Sequence, residues 1–178
     1  MDLMLLRTFQ FQVQLQCRFV SKASDDIEAA IKQGKTREQV QDIFYSVQNL
    51  LNAAANISKA LWGPKGKLAA QKEALRDSLG ITNDSPLQTP DMRNNYEHFD
   101  DRLDLWWKNS NSRTFVDMTV LWSNPDFKGI DPTDRFRAYD PKTGDLSFWG
   151  QEFNLKAIVD EARRILPVAL EEYGKPFA

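Results

Sequence analysis

The chain has 178 residues, 42% of them hydrophobic and 27% charged, which is the makeup of one ordinary globular domain with apolar side chains enough for a core. That excludes wholesale disorder, and the formal net charge of −2, with acids and bases mixed along the chain, excludes holding nucleic acid by bulk electrostatics. Cys17 is the only cysteine, so neither an intrachain disulfide nor a four-cysteine zinc site can form. The start, Met1 to Arg7, lacks the basic start followed by a long apolar core that marks a signal peptide, and no apolar run approaches the ~20 residues of a membrane helix. The expectation is a soluble, cytoplasmic protein with no membrane contact and no cofactor.

There are no internal repeats and no low-complexity tracts. Phe9 to Cys17 alternates apolar residues with glutamine, a strand pattern taken alone. Helical spacing fits it as well. Leu5, Phe9, Val13 and Cys17 make one stripe, while Phe11, Leu15 and Phe19 make another on nearly the opposite side. Glutamine favours helix, and the family resemblance given below tips the reading that way. A helix apolar on two sides needs both covered, one by the core and one by a partner chain.

Thr36-Arg37-Glu38-Gln39 has the form of a capping box, followed by apolar residues at helical spacing from Val40 to Leu61, and Trp62-Gly63-Pro64 stops that helix. A shorter helix is predicted from Lys67 to Leu79, with Gly80 as its C-terminal cap. After a turn-rich stretch from Asn83 to Leu87, Thr89-Pro90-Asp91 starts a new helix that should run from Pro90 to Lys108. Beyond it Thr114 to Trp122 reads as a strand, and Arg135–Tyr139 and Leu146–Trp149 flank a Pro/Gly turn, which predicts a hairpin. Asn154 should cap a last helix, which Pro167 kinks or shortens. The fold class is therefore mainly α. A helical bundle over residues 1–109, a β appendage over 110–152 and a final helix over 153–174 form one domain.

The helix from Pro90 to Lys108 carries the chemistry. At ~100° per residue, Tyr96, Phe99, Leu103, Trp106 and Trp107 share a core-facing side, while Arg93, Asn94, Glu97, His98 and Asp101 fall on the other. Arg93 and His98 would stand ~7.5 Å apart along the axis and about 140° apart around it. One helix therefore cannot close both on a single atom, but two copies about a two-fold axis could line one groove with both pairs.

The run Arg93-Asn94-Asn95-Tyr96-Glu97-His98 resembles the R-x4-6-H motif of HEPN domains, including the polar residue after the arginine. The stretch from Ala53 to Trp62, together with Arg93 to Asp104, looks like an uncharacterised bacterial subgroup of such proteins. The resemblance covers Leu3 to Lys108 and implies a helical bundle that forms a homodimer. It also implies a metal-independent endoribonuclease, of the kind found in toxin–antitoxin and anti-phage systems, with an antitoxin or other regulatory protein as partner. Asp100 stands where many HEPN toxins regulated by a nucleotidyltransferase have a modifiable tyrosine, which argues against that regulation.

The residue chemistry agrees with that implication. RNA is cut without metal when its 2′-OH attacks the adjacent phosphate, which needs a proton acceptor near neutral pH and a fixed cation for the oxyanion. His98, the only histidine, suits the first task, and Arg93 suits the second. Asn94 could hold the arginine or a phosphate oxygen, and Glu97 or Asp101 could orient the imidazole. Needing a 2′-OH would make the substrate RNA.

Plainer readings stand beside these. A lone histidine on a mixed helix is commonly structural, and Arg93 could simply pair with Glu97, its i+4 neighbour. Glu97, His98 and Asp101 make a poor metal site. Asp100, Asp101 and Asp104 fit a solvated face, as do Lys65, Lys67, Lys72 and Arg76, which could instead form an RNA-facing edge. Trp106 and Trp107 fit core or dimer packing better than base stacking. The alternative function is a non-catalytic HEPN module that acts by dimerising or by binding a partner protein or nucleotide.

Overall fold

The computed structural model describes residues 1–63, 69–88, 94, 96–122, 129–131 and 134–176. The glutamine-rich opening is helical throughout, as α1, Leu3–Gln33. The Asp2 carboxylate accepts the amides of Met4 and Leu5 at 2.9 and 3.2 Å, starting the helix as an N-cap does. Val13, Cys17, Val20, Ala23 and Ile27, three or four apart, are buried, while Met4, Phe11 and Phe19 are exposed.

Helix α2, Arg37–Leu61, buries Ile43, Phe44, Val47, Leu50, Leu51, Ile57 and Leu61 along one stripe. Its start differs from a capping box in one respect: the Thr36 hydroxyl donates to the Gln39 side-chain oxygen rather than meeting a backbone amide. Helix α3, Ala69–Ser78, ends as the glycine predicts. Gly80 takes φ +59, its amide donates to Asp77 O at 3.2 Å, and the Ile81 amide donates to Arg76 O at 2.9 Å. This 6→1 and 5→2 pair defines a Schellman cap. Lys65 and Lys67 lie outside the described residues.

Two compact units emerge, each from discontinuous chain: Met1–Asp25, Asn49–Pro90 and Ala157–Ala178 in the first, Asp26–Gln48 and Asp91–Lys156 in the second. The first is helical. Its core gathers Val13, Cys17, Leu50, Ile57, Leu75, Leu79, Ala162 and Ile165 from α1, α2, α3 and α5, Leu155–Gly174. Pro167 sits inside α5 without ending it; the helix continues to Gly174, so the expected shortening does not occur. Buried polar groups in this core are matched in part, since Arg7 Nε and Gln14 Oε1 have no hydrogen-bond partner among the described residues. Arg7 donates to Gln10 Oε1 at 3.0 Å, and Gln10 donates in turn to Ser78 Oγ at 3.0 Å.

Lys72 and Arg76 do not form a solvated or RNA-facing edge. Lys72 is buried with its Nζ 3.3 Å from the Phe9 ring centroid, and burial lowers its pKa. Arg76 donates to Leu61 O at 2.7 Å and lies over the Trp62 ring.

The second unit holds the β structure, a four-stranded sheet rather than a lone hairpin. Its order is β1 (Thr119–Val120), β2 (Arg137–Asp140), β3 (Asp145–Phe148), β4 (Gln151–Asn154), with β1 parallel to β2 and the others antiparallel. The β2–β3 hairpin is the one the Pro/Gly turn predicts. The long strand expected from Thr114 to Trp122 shrinks to β1 and one bridge, Val116 to Arg135, because Met118 takes φ +50 and breaks the extended run. Asn154 ends β4, and its side chain donates to Asp145 Oδ1 at 2.7 Å.

Tight turns set the sheet's edges. At Gly144, φ +76, an added Cβ would stand 2.8 Å from Lys156 Cβ, so only glycine fits without a shift. The β3–β4 turn is two residues, Trp149 at φ +44 and Gly150 at φ +80, the type I′ signature. A tryptophan there is strained by about 1–3 kcal/mol.

Candidate functional site

Helix α4, Phe99–Asn109, is shorter than the sequence predicts. Residues 94, 96 and 97 are helical, but His98 interrupts the run as a turn residue with φ −105 and ψ 39 and serves as the N-cap of α4. Its amide still donates to Asn94 O at 3.0 Å, and its carbonyl accepts the Arg102 amide at 3.1 Å. The expected straight helix is therefore jointed at its histidine.

Aromatic packing within the second unit holds α4 in place. Phe99 meets Phe136 and Phe148 at centroid distances of 5.6 and 6.0 Å, and Trp106, two turns on, meets Phe115 and Phe136 at 5.0 and 6.1 Å. Phe136 and Phe148 are almost fully buried, so these edge-on contacts are shielded from water. The Trp106 indole also donates to Asp134 Oδ1 at 3.0 Å. Hydrogen bonds from Ser110, Ser112 and Trp106 hold the Asp134 carboxyl below the usual carboxylate range.

At the start of α4, Arg137 donates from Nε to Asp117 Oδ1 at 2.7 Å and lies over the rings of Phe99 and Tyr96. Burial raises the Tyr96 phenol pKa. The apolar side read from the sequence holds for Phe99 and Trp106 but not for Trp107. That residue is 58% exposed, with Arg113 stacked 4.0 Å from its ring centroid. Trp107 therefore adds nothing to the core.

With Phe99 and Trp106 turned inward, His98 and Asp101 turn outward. Their side chains are 62% and 69% exposed, and His98 Nδ1 stands 3.5 Å from Asp101 Oδ2. That distance is long for a full hydrogen bond, and both groups stand in solvent, with the carboxylate on the Nδ1 side of the ring. Asp100 and Asp101, in the first turn of α4, suit the positive end of its dipole.

Asn94 and Glu97 are also exposed, so the two lie on solvent-facing backbone beside His98. Arg93, the expected cation, lies outside the described residues. No group of three or more histidine, cysteine or carboxylate side chains suited to a metal is present among the described residues. Nor, among them, is any helix long and apolar enough to cross a membrane.

No protein-family model, curated protein or solved structure matches the chain. The chemistry of the site is accordingly read from its own residues. An accessible imidazole with one nitrogen facing a carboxylate can take a proton from a bound hydroxyl and return it to a leaving group.

One feature beside it has only a partial sequence signal. Arg102, four residues after His98, lines a depression of about 100 Å³ with Phe148, Trp149 and Gln151. Arg102 follows Phe99 by three residues on α4, which sets it near the Phe148 that Phe99 meets, and that spacing is readable from sequence. The contribution of Trp149 and Gln151 depends on β3–β4 pairing, which no local pattern announces.

Proposed function

We propose that this chain is a HEPN-type endoribonuclease that works without metal as a homodimer in the cytoplasm. His98 acts as its general base and Arg93 as its phosphate cation. The observation that supports it is the exposed His98 imidazole with Asp101 at 3.5 Å on its Nδ1 side, leaving Nε2 toward solvent chemistry. The 2′-OH of RNA attacks the adjacent phosphorus while His98 takes its proton. The O2′–P bond forms, the P–O5′ bond breaks, and the leaving 5′-oxygen takes a proton from the imidazolium of the second copy. Arg93, with Asn94 beside it, stabilises the pentavalent oxyanion. Glu97 stands on the same exposed backbone as a supporting acid. Such an activity is harmful unless restrained, which fits a toxin–antitoxin or anti-phage role with a regulatory protein partner.

Product ends test this reading. RNA cut by the wild-type chain should carry 2′,3′-cyclic phosphate and 5′-hydroxyl ends, and a single 2′-deoxy substitution at the cut should prevent cleavage. Products with 3′-hydroxyl and 5′-phosphate ends would overturn it, because a 2′-OH nucleophile cannot make them.

A second reading, a dimerisation module without catalysis, is favoured by α1. Met4, Phe11 and Phe19 are 72%, 37% and 50% exposed along the helix face opposite its buried stripe. Antiparallel packing of two such faces would set Arg18 and Lys22 of one copy toward the Asp2 end of the other. A second copy of this chain is thus the occupant its charges suit.

A further inference from the structure

The depression lined by Arg102 combines groups of the kinds that hold a nucleotide. It is lined by one guanidinium (Arg102), one indole (Trp149), one carboxamide (Gln151) and the edge of Phe148. At about 100 Å³ it is too small to enclose a drug-sized ligand, yet it offers a flat ring one wall to lie against. The indole is held in place from behind. Phe136 stacks on it at 6.3 Å with an interplanar angle of 21°, and the Trp149 amide donates to Phe136 O at 2.7 Å.

The turn gives a second observation. A type I′ pair asks for Asn-Gly or Gly-Gly, and this chain has Trp149-Gly150, with the tryptophan at φ +44. Fold alone does not call for an aromatic there. Strained residues of this kind gather at ligand-binding positions, where the surrounding structure holds them.

We infer that this depression binds one nucleotide of the RNA next to the scissile bond: its base stacks against Trp149, Gln151 reads the base edge, and Arg102 takes the neighbouring phosphate. This rests on the ribonuclease reading above for its substrate class. Each part has its physical reason. Indole faces stack on any base, carboxamides offer both a donor and an acceptor to base edges, and the planar guanidinium matches a phosphate bidentately. Arg102 follows His98 by four residues, and its amide donates to the His98 carbonyl at 3.1 Å, so the depression lies one turn of chain from the imidazole. Because Asp100, Asp101 and Asp104 share the helix, affinity comes from stacking and one or two cations rather than a basic surface.

The test uses a fluorescently labelled 2′-O-methyl oligoribonucleotide of eight residues, which binds but offers no 2′-OH for cleavage. Anisotropy gives its Kd for the wild-type chain, Arg102→Gln, Trp149→Leu, Trp149→Phe and Gln151→Ala, and cleavage of the matching ribo-oligonucleotide is scored separately. Arg102→Gln and Trp149→Leu should each weaken binding about tenfold or more, with Trp149→Phe between them and the wild type. Arg102→Gln should also flatten the slope of log K against log salt by about 0.7. Should Trp149→Leu not fold, Trp149→Phe and Arg102→Gln carry the same comparison. Wild-type affinity in every variant would overturn the subsite whether or not RNA is cleaved, as would no measurable binding by the wild-type chain. Affinity lost in the variants of a chain that cuts no RNA would leave the subsite standing and remove the nuclease.

Discussion

The Arg102 amide donates to the His98 carbonyl across 3.1 Å, which ties the guanidinium-bearing residue of the depression to the histidine at the head of α4. Phe99, between them in sequence, is locked inward by Phe136 and Phe148, so the pair cannot rotate into the core. Arg102→Lys keeps the charge but loses the planar fork. Steady-state cleavage should show KM raised about tenfold with kcat changed far less, since the contact is made equally in ground and transition states. A fall in kcat alone would place Arg102 in the chemical step instead.

Gly144 closes the β2–β3 turn where a side chain has no room, with Lys156 Cβ 2.8 Å from any added Cβ and φ at +76. Gly144→Ala should destabilise the chain by about 2 kcal/mol, from the backbone strain and the clash together. Denaturant titration measures it. Gly129, also at positive φ but with nothing within 4 Å of an added Cβ, gives the comparison: Gly129→Ala carries only the backbone part and should cost less.

Asp134 ties the end of α4 to the sheet by accepting bonds from Ser110, Ser112 and Trp106, which lower its pKa below its unfolded value. A depressed carboxyl pKa contributes stability that is present above the unfolded value near 4 and is lost as pH falls through the lower folded value. Thermal melts between pH 6 and pH 2 should therefore show Tm dropping below about pH 4. Asp134→Asn should lower Tm at neutral pH and shrink that acid-dependent fall. An unchanged acid limb in the variant would show that other carboxylates set it.

Much of the helical part was legible because its signals are local. Gly80 announced a Schellman cap, and Val40 to Leu61 announced α2 by period alone. Alternation in α1 was ambiguous from sequence, since Phe9, Phe11 and Val13 fit both periods, and the buried stripe through Val13, Cys17 and Val20 resolves it. The β part was harder. Residues 114–122 carry strand-forming side chains, yet pairing is confined to Thr119–Val120 and one bridge at Val116 because Met118 turns the chain at positive φ. At the site, His98 was visible as the single histidine, but its place at a helix joint was not, because its φ and ψ follow from how Phe99 docks. Lys72 shows the same limit. Its charge suggested solvent, and the ring of Phe9 holds it inside.

Cys17 is buried in the first unit, and burial, with the nearby Glu161 charge, pushes its thiol up to about 12. The native chain at pH 8 should react with iodoacetamide at a rate set by unfolding, and the rate should rise by orders of magnitude in denaturant. Mass spectrometry of timed samples reads this directly. Prompt labelling of the folded chain would mean that α1 opens far more readily than its packing implies.

The proposed homodimer through the exposed face of α1 has its own test. Sedimentation at micromolar concentration should give twice the 20.5 kDa chain mass, and Met4→Glu with Phe19→Glu, the two more exposed side chains of that face, should return it to one chain with its far-UV circular dichroism unchanged. A dimer unaffected by these changes would move the interface away from α1.

Cleavage of single-stranded RNA in EDTA by the wild-type chain, His98→Ala and Arg93→Ala, prepared side by side, bears on everything above. The account predicts cleavage by the wild type despite the chelator and a loss of at least a hundredfold in kcat with either variant. Equal rates from all three would contradict it, because the imidazole at the head of α4 would then take no part in the reaction.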